Sequence, residues 1–188
     1  MPRFDSVSSL EQTSFSEYGF TYCGIPVAHS YAEILITEQI LFEFNIKVVV
    51  ELGVWFGGLS TLFLNVCDRY LGYDHTDVRY FNCKRLFDNN KHTFVLDDVL
   101  ASDKVYGVIS DFVKTDKFLL YIDNGNKKHE LNKYLPLLKP GDICIAHDFN
   151  MEWTLSDIQQ TLDDNNLGVI FPEVTNKLNS KQCIIAKK

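Results

Sequence analysis

Val48-Val49-Val50-Glu51-Leu52-Gly53-Val54-Trp55-Phe56-Gly57-Gly58-Leu59-Ser60 runs from an apolar segment through a glycine-bearing turn into a helical pattern, and its reading decides the fold. A strand, a glycine turn and a helix start, in that order, are what a nucleotide-type ligand site requires, because the turn offers backbone N–H groups at close range. Trp55 stands where a dinucleotide-binding loop keeps its second glycine, and its bulk would close the approach of a pyrophosphate. NAD and FAD are therefore disfavoured. No Lys-Ser/Thr pair follows the glycines, so a phosphate-cradling loop is excluded too. The turn suits a small, uncharged-to-cationic ligand head, with Glu51 at the strand end able to face an amino or sulfonium group. The plainer alternative is that Gly53, Gly57 and Gly58 only permit a tight turn and close helix packing.

Outward from this turn, apolar runs at 70–73, 92–96, 118–122 and 142–146 alternate with helical patterns from 79, near 105, at 129–138 and at 156–165. With the first unit this makes five strand–helix repeats, the signature of a parallel sheet covered by helices on both faces. The end differs: 168–171 and 182–186 read as two strands joined by a polar loop with Pro172, Asn176 and Asn179 and no helical pattern. The expectation is an α/β, Rossmann-like, doubly wound, mostly parallel seven-stranded sheet, closed by a C-terminal antiparallel hairpin beside the fifth strand. Ser30 caps a helix whose apolar positions Ile34, Leu35, Ile40, Leu41 and Phe44 keep helical spacing. Residues 21–188 are expected to form one domain. Residues 1–20 lack such a pattern and are expected to be a flexible arm or a lid.

Composition narrows the class. The chain has 188 residues, 46% hydrophobic and 23% charged, enough apolar material for one core. A net charge of -7 with scattered Lys and Arg makes long-range attraction to a polyanion weak, so nucleic acid is not expected as a partner. No run reaches the roughly 18 to 20 apolar residues of a bilayer span, and the first thirty residues are polar and Ser-rich. A soluble, cytoplasmic protein with no membrane partner is expected, and a homo-oligomer is compatible with the sequence. The five cysteines lack CxxC spacing, which argues against a disulfide framework or a thiolate zinc site, and Cys144 and Cys183 read as buried small hydrophobes.

Ligands of doubly wound sheets sit outside the carboxyl ends of the strands, so the polar residues at those ends are the candidates for chemistry. After the second strand, Gly72-Tyr73-Asp74 places a carboxylate where a ribose diol is held. After the third, Asp98 in Leu96-Asp97-Asp98-Val99 is placed to accept from an adenine amino group, or else is a helix cap. Asp123 follows the fourth strand, and His147-Asp148 follows the fifth. These groups suit three readings: oxygen ligands of Mg²⁺, a general base at His147, or a structural rim. Lys127, four residues past Asp123, is either a group over the reacting centre or a solvated lysine.

Together with Tyr22-Cys23-Gly24-Ile25-Pro26, Tyr121-Ile122-Asp123-Asn124-Gly125-Asn126-Lys127 and Leu138-Lys139-Pro140-Gly141-Asp142-Ile143-Cys144-Ile145-Ala146-His147-Asp148, these blocks resemble the class I S-adenosylmethionine-dependent methyltransferases. More narrowly, they resemble the branch with cephalosporin-hydroxylase-like proteins and small sugar O-methyltransferases, over about residues 20–150. The resemblance implies S-adenosylmethionine as cofactor, held by Glu51, Gly53, Trp55, Gly57, Gly58, Ser60, Asp74 and Asp98. It also implies O-methylation of a small hydroxylated acceptor such as a sugar, with Asp123, Lys127, His147 and Asp148 as the catalytic candidates. Metal-dependent members place acidic ligands at the ends of strands four and five, which Asp123 and Asp148 match. His147 stands where a second acid or amide is expected, and it is a soft partner for Mg²⁺. The rival reading is an accessory domain that keeps the fold without acceptor chemistry.

Overall fold

The computed structural model describes residues 13–16, 19–87, 91–101 and 103–188. Its chain order is β1 (Thr13–Ser16), β2 (Gly19–Tyr22), β3 (Ile25–Val27), α1 (Tyr31–Glu43), β4 (Val48–Leu52), α2 (Gly58–Val66), β5 (Arg69–Asp74), α3 (Phe81–Leu86) and β6 (His92–Leu96). Then come α4 (Asp103–Phe112), β7 (Phe118–Ile122), α5 (Lys127–Tyr134), β8 (Ile143–Ala146), α6 (Gln159–Asp164), β9 (Leu167–Val169), α7 (Pro172–Lys177) and β10 (Cys183–Lys187). No described helix is long and apolar enough to cross a membrane.

The main sheet has seven strands in the order β6-β5-β4-β7-β8-β10-β9. The five strands β6 to β8 in that order run parallel, and β10 lies antiparallel between β8 and β9. Successive side chains of a strand face opposite sides, so each apolar run feeds two cores. Val48, Val50, Leu52, Leu120 and Ile122 pack on one face, and Val49, Leu119, Tyr121, Ile143 and Ile145 on the other. Cys144 and Cys183 are buried, as their apolar neighbours suggest.

The expected C-terminal strand pair forms, with Ile185 opposite Val169. Its connection departs from the expected plain loop: residues 172–177 form α7. The helix has six residues and buries only Thr175, too little for an apolar period, and it starts at Pro172, whose fixed φ suits a first turn. The N-terminal segment departs as well. Residues 13–16 and 19–22 are strands of a small antiparallel sheet, β1-β2-β3, rather than a patternless arm; residues 1–12 lie outside the described residues.

Two contacts fasten this small sheet and α1 to the main one. Gly58 opens α2 directly against Pro26 and Val27 of β3, where any Cβ would overlap the Pro26 carbonyl. Ser30 caps α1 reciprocally: its Oγ accepts from the Glu33 amide at 3.3 Å, and its own amide donates to Glu33 Oε2 at 2.7 Å. Gln182, fully buried just before β10, donates through Nε2 to the Glu33 carbonyl at 3.3 Å and to the Thr37 and Tyr121 hydroxyls at 3.0 Å each. Gln182→Leu would leave those acceptors dry and unpartnered, at a cost of about 1–3 kcal/mol. Urea unfolding is expected to show a lower midpoint with an unchanged slope; an unchanged midpoint would show that the amide joins nothing of consequence.

Candidate active site

Strand order reverses between β5-β4 and β4-β7, and the rim there is built by hydrogen bonds that continue the parallel ladder past the strand ends. The Gly53 amide donates to the Tyr73 carbonyl at 2.9 Å, the Asp123 amide to Leu52 at 2.8 Å, and the His147 amide to Ile122 at 3.0 Å. Residues that follow separate strands are thereby held in one row. Gly53, at φ +95°, lies so close to the Asp123–Asn124 backbone that a Cβ would overlap it.

Above this row lies a cavity of about 460 Å³, lined in part by His29, Glu51, Gly53, Trp55, Asp74 and Asp123. That volume falls in the usual small-ligand range of about 300–1,000 Å³. Glu51 is buried, and its Oε2 accepts from Ser60 Oγ at 2.6 Å and from the Tyr70 hydroxyl. Ser60 therefore meets the cavity only through Glu51. Burial pushes the Glu51 carboxyl up to about 8, against the pull of those two hydrogen bonds. Gly57 is outside the cavity wall; at φ +86° it makes room for Cys83. Trp55, in the left-handed region at φ 50°, lines the cavity mouth and stacks on Phe56 at 4.1 Å.

Asp74 lines the cavity, yet most of its acceptor capacity braces the turn. Its Oδ2 accepts from the Val54 and Trp55 amides at 3.0 and 2.8 Å, and Oδ1 accepts from Thr76 at 3.1 Å. Asp98 does not reach the cavity: it is exposed, and its Oδ1 accepts from the Leu100 amide at 2.8 Å in a local turn. Of its two readings, the local one describes its geometry.

Asp123, Lys127, His147 and Asp148 are brought together. Lys127 Nζ lies 2.9 Å from Asp148 Oδ2, 2.9 Å from Glu152 Oε2 and 3.3 Å from Asp123 Oδ1. It is buried, not solvated. Burial alone would lower the Lys127 pKa, but these carboxylates raise it, so its ammonium occupies the space between Asp123 and Asp148. In the ion-free protein the Lys127 ammonium bridges Asp123 and Asp148, the two carboxylates that would offer oxygens to Mg²⁺. Asp148 has a left-handed backbone, φ 56°, at the end of β8.

His147 lies between carboxylates. Nδ1 is 3.3 Å from both Asp123 Oδ1 and Asp148 Oδ1, and Nε2 is 3.3 Å from Glu33 Oε1. Burial alone would lower its pKa; Asp123 and Glu33 outweigh that and carry it up to about 10. The ion-free protein thus keeps His147 protonated at neutral pH, which removes it as a resting general base. Glu33 is held down to about 2, where the pull of His147 and the Ser30 amide exceeds the opposing effect of burial.

Three residues of this cluster were not singled out in the sequence: His29, Glu33 and Glu152. His29 is 6% exposed, its Nε2 is 3.3 Å from Asp123 Oδ2, and its ring centre is 4.5 Å from that of His147. Neither ring nitrogen of His29 has an aligned hydrogen-bond partner, and burial lowers its pKa. The available signal was its place next to the Ser30 cap, at the end of the segment leading into α1. A second cleft, of about 510 Å³, is lined by Phe20, Ser30, Glu33, His147, Asn179 and Lys181, and shares Val27, Ala28 and His29 with the first cavity.

A sequence-family model described as rhamnosyl O-methyltransferase/CmcI matches residues 14–166. No curated protein matches the chain. Among solved structures, an apo form of CmcI superimposes with a TM-score of 0.69 at 16% identity, over 92% of this chain and 78% of that one. CmcI with Mg and SAM gives 0.63 at 16% identity, over 100% of this chain and 87% of that one. A Staphylococcus aureus protein assigned as a caffeoyl-CoA O-methyltransferase gives 0.59 at 15% identity, over 86% and 84%. At such identities the solved structures show a shared fold.

The state of Glu51 makes ligand binding pH-dependent. With its carboxyl near 8, the ligand-free protein holds that proton at pH 7, and a cationic ligand head beside it favours the carboxylate. Affinity for S-adenosylmethionine is therefore expected to rise with pH, by about fivefold from pH 7 to 8, and to level off above about 9. Calorimetric titration should show the slope in the parent protein and its absence in Glu51→Gln; a flat parent profile would place the ligand's cation elsewhere.

Proposed function

As a member of the rhamnosyl O-methyltransferase/CmcI family, the chain is an S-adenosylmethionine-dependent O-methyltransferase, and we propose that its acceptor is a sugar-like polyol seated in the second cleft. The observation that carries this reading is His29, which stands in the wall of both clefts at once. A donor in the first cavity and an acceptor in the second cleft meet there. When bound, S-adenosylmethionine supplies a sulfonium methyl open to in-line attack by an oxygen. The chain's part is then largely alignment of the two reactants and removal of the hydroxyl proton.

Glu51 and the Gly53 turn fit the donor: a carboxyl for its cationic end, and a turn in the cavity wall whose missing Cβ lets the Asp123–Asn124 backbone close up beside it. On the acceptor side, Ser30, Glu33, Asn179 and Lys181 line the cleft with hydrogen-bond donors and acceptors of both signs of charge, the kind of wall that sugar hydroxyls match. In the ion-free protein, His29 is the side chain to take the hydroxyl proton, since its nitrogens are unpartnered and Asp123 lies behind the ring. Asp123 then stabilises the imidazolium that forms. Cytoplasmic location and a small-molecule partner belong to the same reading.

Incubation with S-adenosylmethionine and a panel of deoxyhexosides and other glycosides should release S-adenosylhomocysteine with one or more of them. Release that is the same with and without every acceptor would sink the sugar reading. His29→Ala is expected to lower turnover by at least about 100-fold while S-adenosylhomocysteine affinity stays within a few-fold. Equal loss of both would place His29 in donor binding instead.

A further inference from the structure

The walls of the second cleft hold one acid, Glu33, and two groups that carry positive charge, His147 and Lys181. Glu33 has little left to offer a ligand. Its Oε2 accepts from the Ser30 amide at 2.7 Å and the Ser30 hydroxyl at 3.0 Å, and its Oε1 accepts from the Lys181 amide at 2.8 Å with His147 Nε2 3.3 Å away, which fills the sites of a carboxylate. His147 is committed too, with carboxylates facing both ring nitrogens. Lys181 is the exception. Its amide is bound to Glu33 and its carbonyl accepts from the Phe149 amide at 2.9 Å, so the backbone is pinned to the cleft wall, while among the described residues its ammonium makes no hydrogen bond and no ion pair.

We infer, resting on the methyl-transfer reading above, that the acceptor is a sugar bearing a carboxylate, of the hexuronoside class, whose acid group pairs with the Lys181 ammonium. An ammonium held at a cleft wall with no partner of its own is a ready contact for such a group. Phe20, whose ring centre lies 4.4 Å from that of Tyr31, adds an aromatic wall against which the apolar face of a pyranose ring can lie.

The charges around the cleft limit the ligand to a single negative charge. Behind the wall, Lys127 is surrounded by Asp123, Asp148 and Glu152, none of which lines the cleft. With Glu33 these are four carboxylates against two cations, Lys127 and His147, so a doubly charged phosphate ester would meet an acidic background with one ammonium to answer it. A carboxylate matches Lys181 one for one. Lys181 is exposed, so this contact is made in water-facing space, where the charges behind the wall are screened.

The test compares methyl glucuronoside with methyl glucoside, which differ only at C6, using the full chain. Transfer is read as release of S-adenosylhomocysteine from S-adenosylmethionine, and binding by calorimetry on the protein loaded with S-adenosylhomocysteine. The uronoside should be favoured about five- to tenfold in kcat/KM, chiefly through KM, with the preference shrinking as salt is added. Its methyl ester, which lacks the charge, should behave as the glucoside does. Lys181→Gln should bring the ratio close to one and Lys181→Glu should invert it, both with an unchanged melting profile because the bonds of this residue to the fold run through its backbone. A parent protein without the preference, a preference that survives in Lys181→Gln, an ester as good as the acid, or tighter binding of glucose 6-phosphate each overturns the inference. Selective binding of the uronoside without methyl transfer would support the carboxylate contact and sink the methyl-transfer reading, whereas transfer to both glycosides at equal efficiency would do the reverse.

Discussion

Gly53 and Asp123 share a space that admits no side chain between them, and the arrangement of the rim follows from that closeness. The Asp123 amide reaches back to the Leu52 carbonyl at 2.8 Å, and the side of Gly53 where a Cβ would stand lies against the Asp123–Asn124 backbone. β4 and β7 are neighbours whose helices leave to opposite sides, so the crevice opens at their ends and nowhere else along the sheet. A side chain at position 53 would separate the two strand ends. Glu51 would then be parted from the carboxylate cluster with which it shares the cavity.

Charge is distributed unevenly along this rim. Glu51, enclosed by Ser60 and Tyr70, is held neutral at pH 7, while Asp123, a strand away, is held ionised by His147, His29 and Lys127, which outweigh its burial. One carboxyl thus waits for a cation and the other already has two, the His147 imidazolium and the Lys127 ammonium. The two kinds of ion pair in the molecule differ greatly in consequence. Lys128–Asp157 lies in solvent and contributes little, whereas removing Lys127 strands buried carboxylates at a cost of about 3–5 kcal/mol. Lys127 therefore sets the shape of the site, even though it lies beside a residue of the same type and charge that does not.

The strand–turn–helix around Gly53 was legible because everything that defines it is local: an apolar run, glycines at fixed offsets and an acid at the strand end. Asp123 and His147 were legible for a related reason, since a residue just past a parallel strand falls at the rim whatever its neighbours are. What could not be read is contact between distant segments. His29 and Glu33 enter the cluster because β3 and the start of α1 are laid over the strand ends, and that placement depends on Gly58 accepting Pro26 and on Gln182 joining three elements. Spacing suggested a cofactor role for Asp98, but a nearby amide was the closer partner. Short, weakly apolar elements, β1, β2 and α7, left no period to read.

The chain has two tryptophans, and the fold assigns them to different tasks. Trp55 is 38% exposed at the mouth of the cavity beside Glu51, whereas Trp153 is 2% exposed, and its Nε1 donates to the His147 carbonyl at 2.7 Å. Their emission is therefore separable by solvent access: a soluble quencher reaches the first indole and not the second. A ligand that fills the cavity shields Trp55, while a disturbance at the imidazole cluster reaches Trp153 through the bond to its ring. The protein thus carries two built-in optical probes, one for each side of its junction.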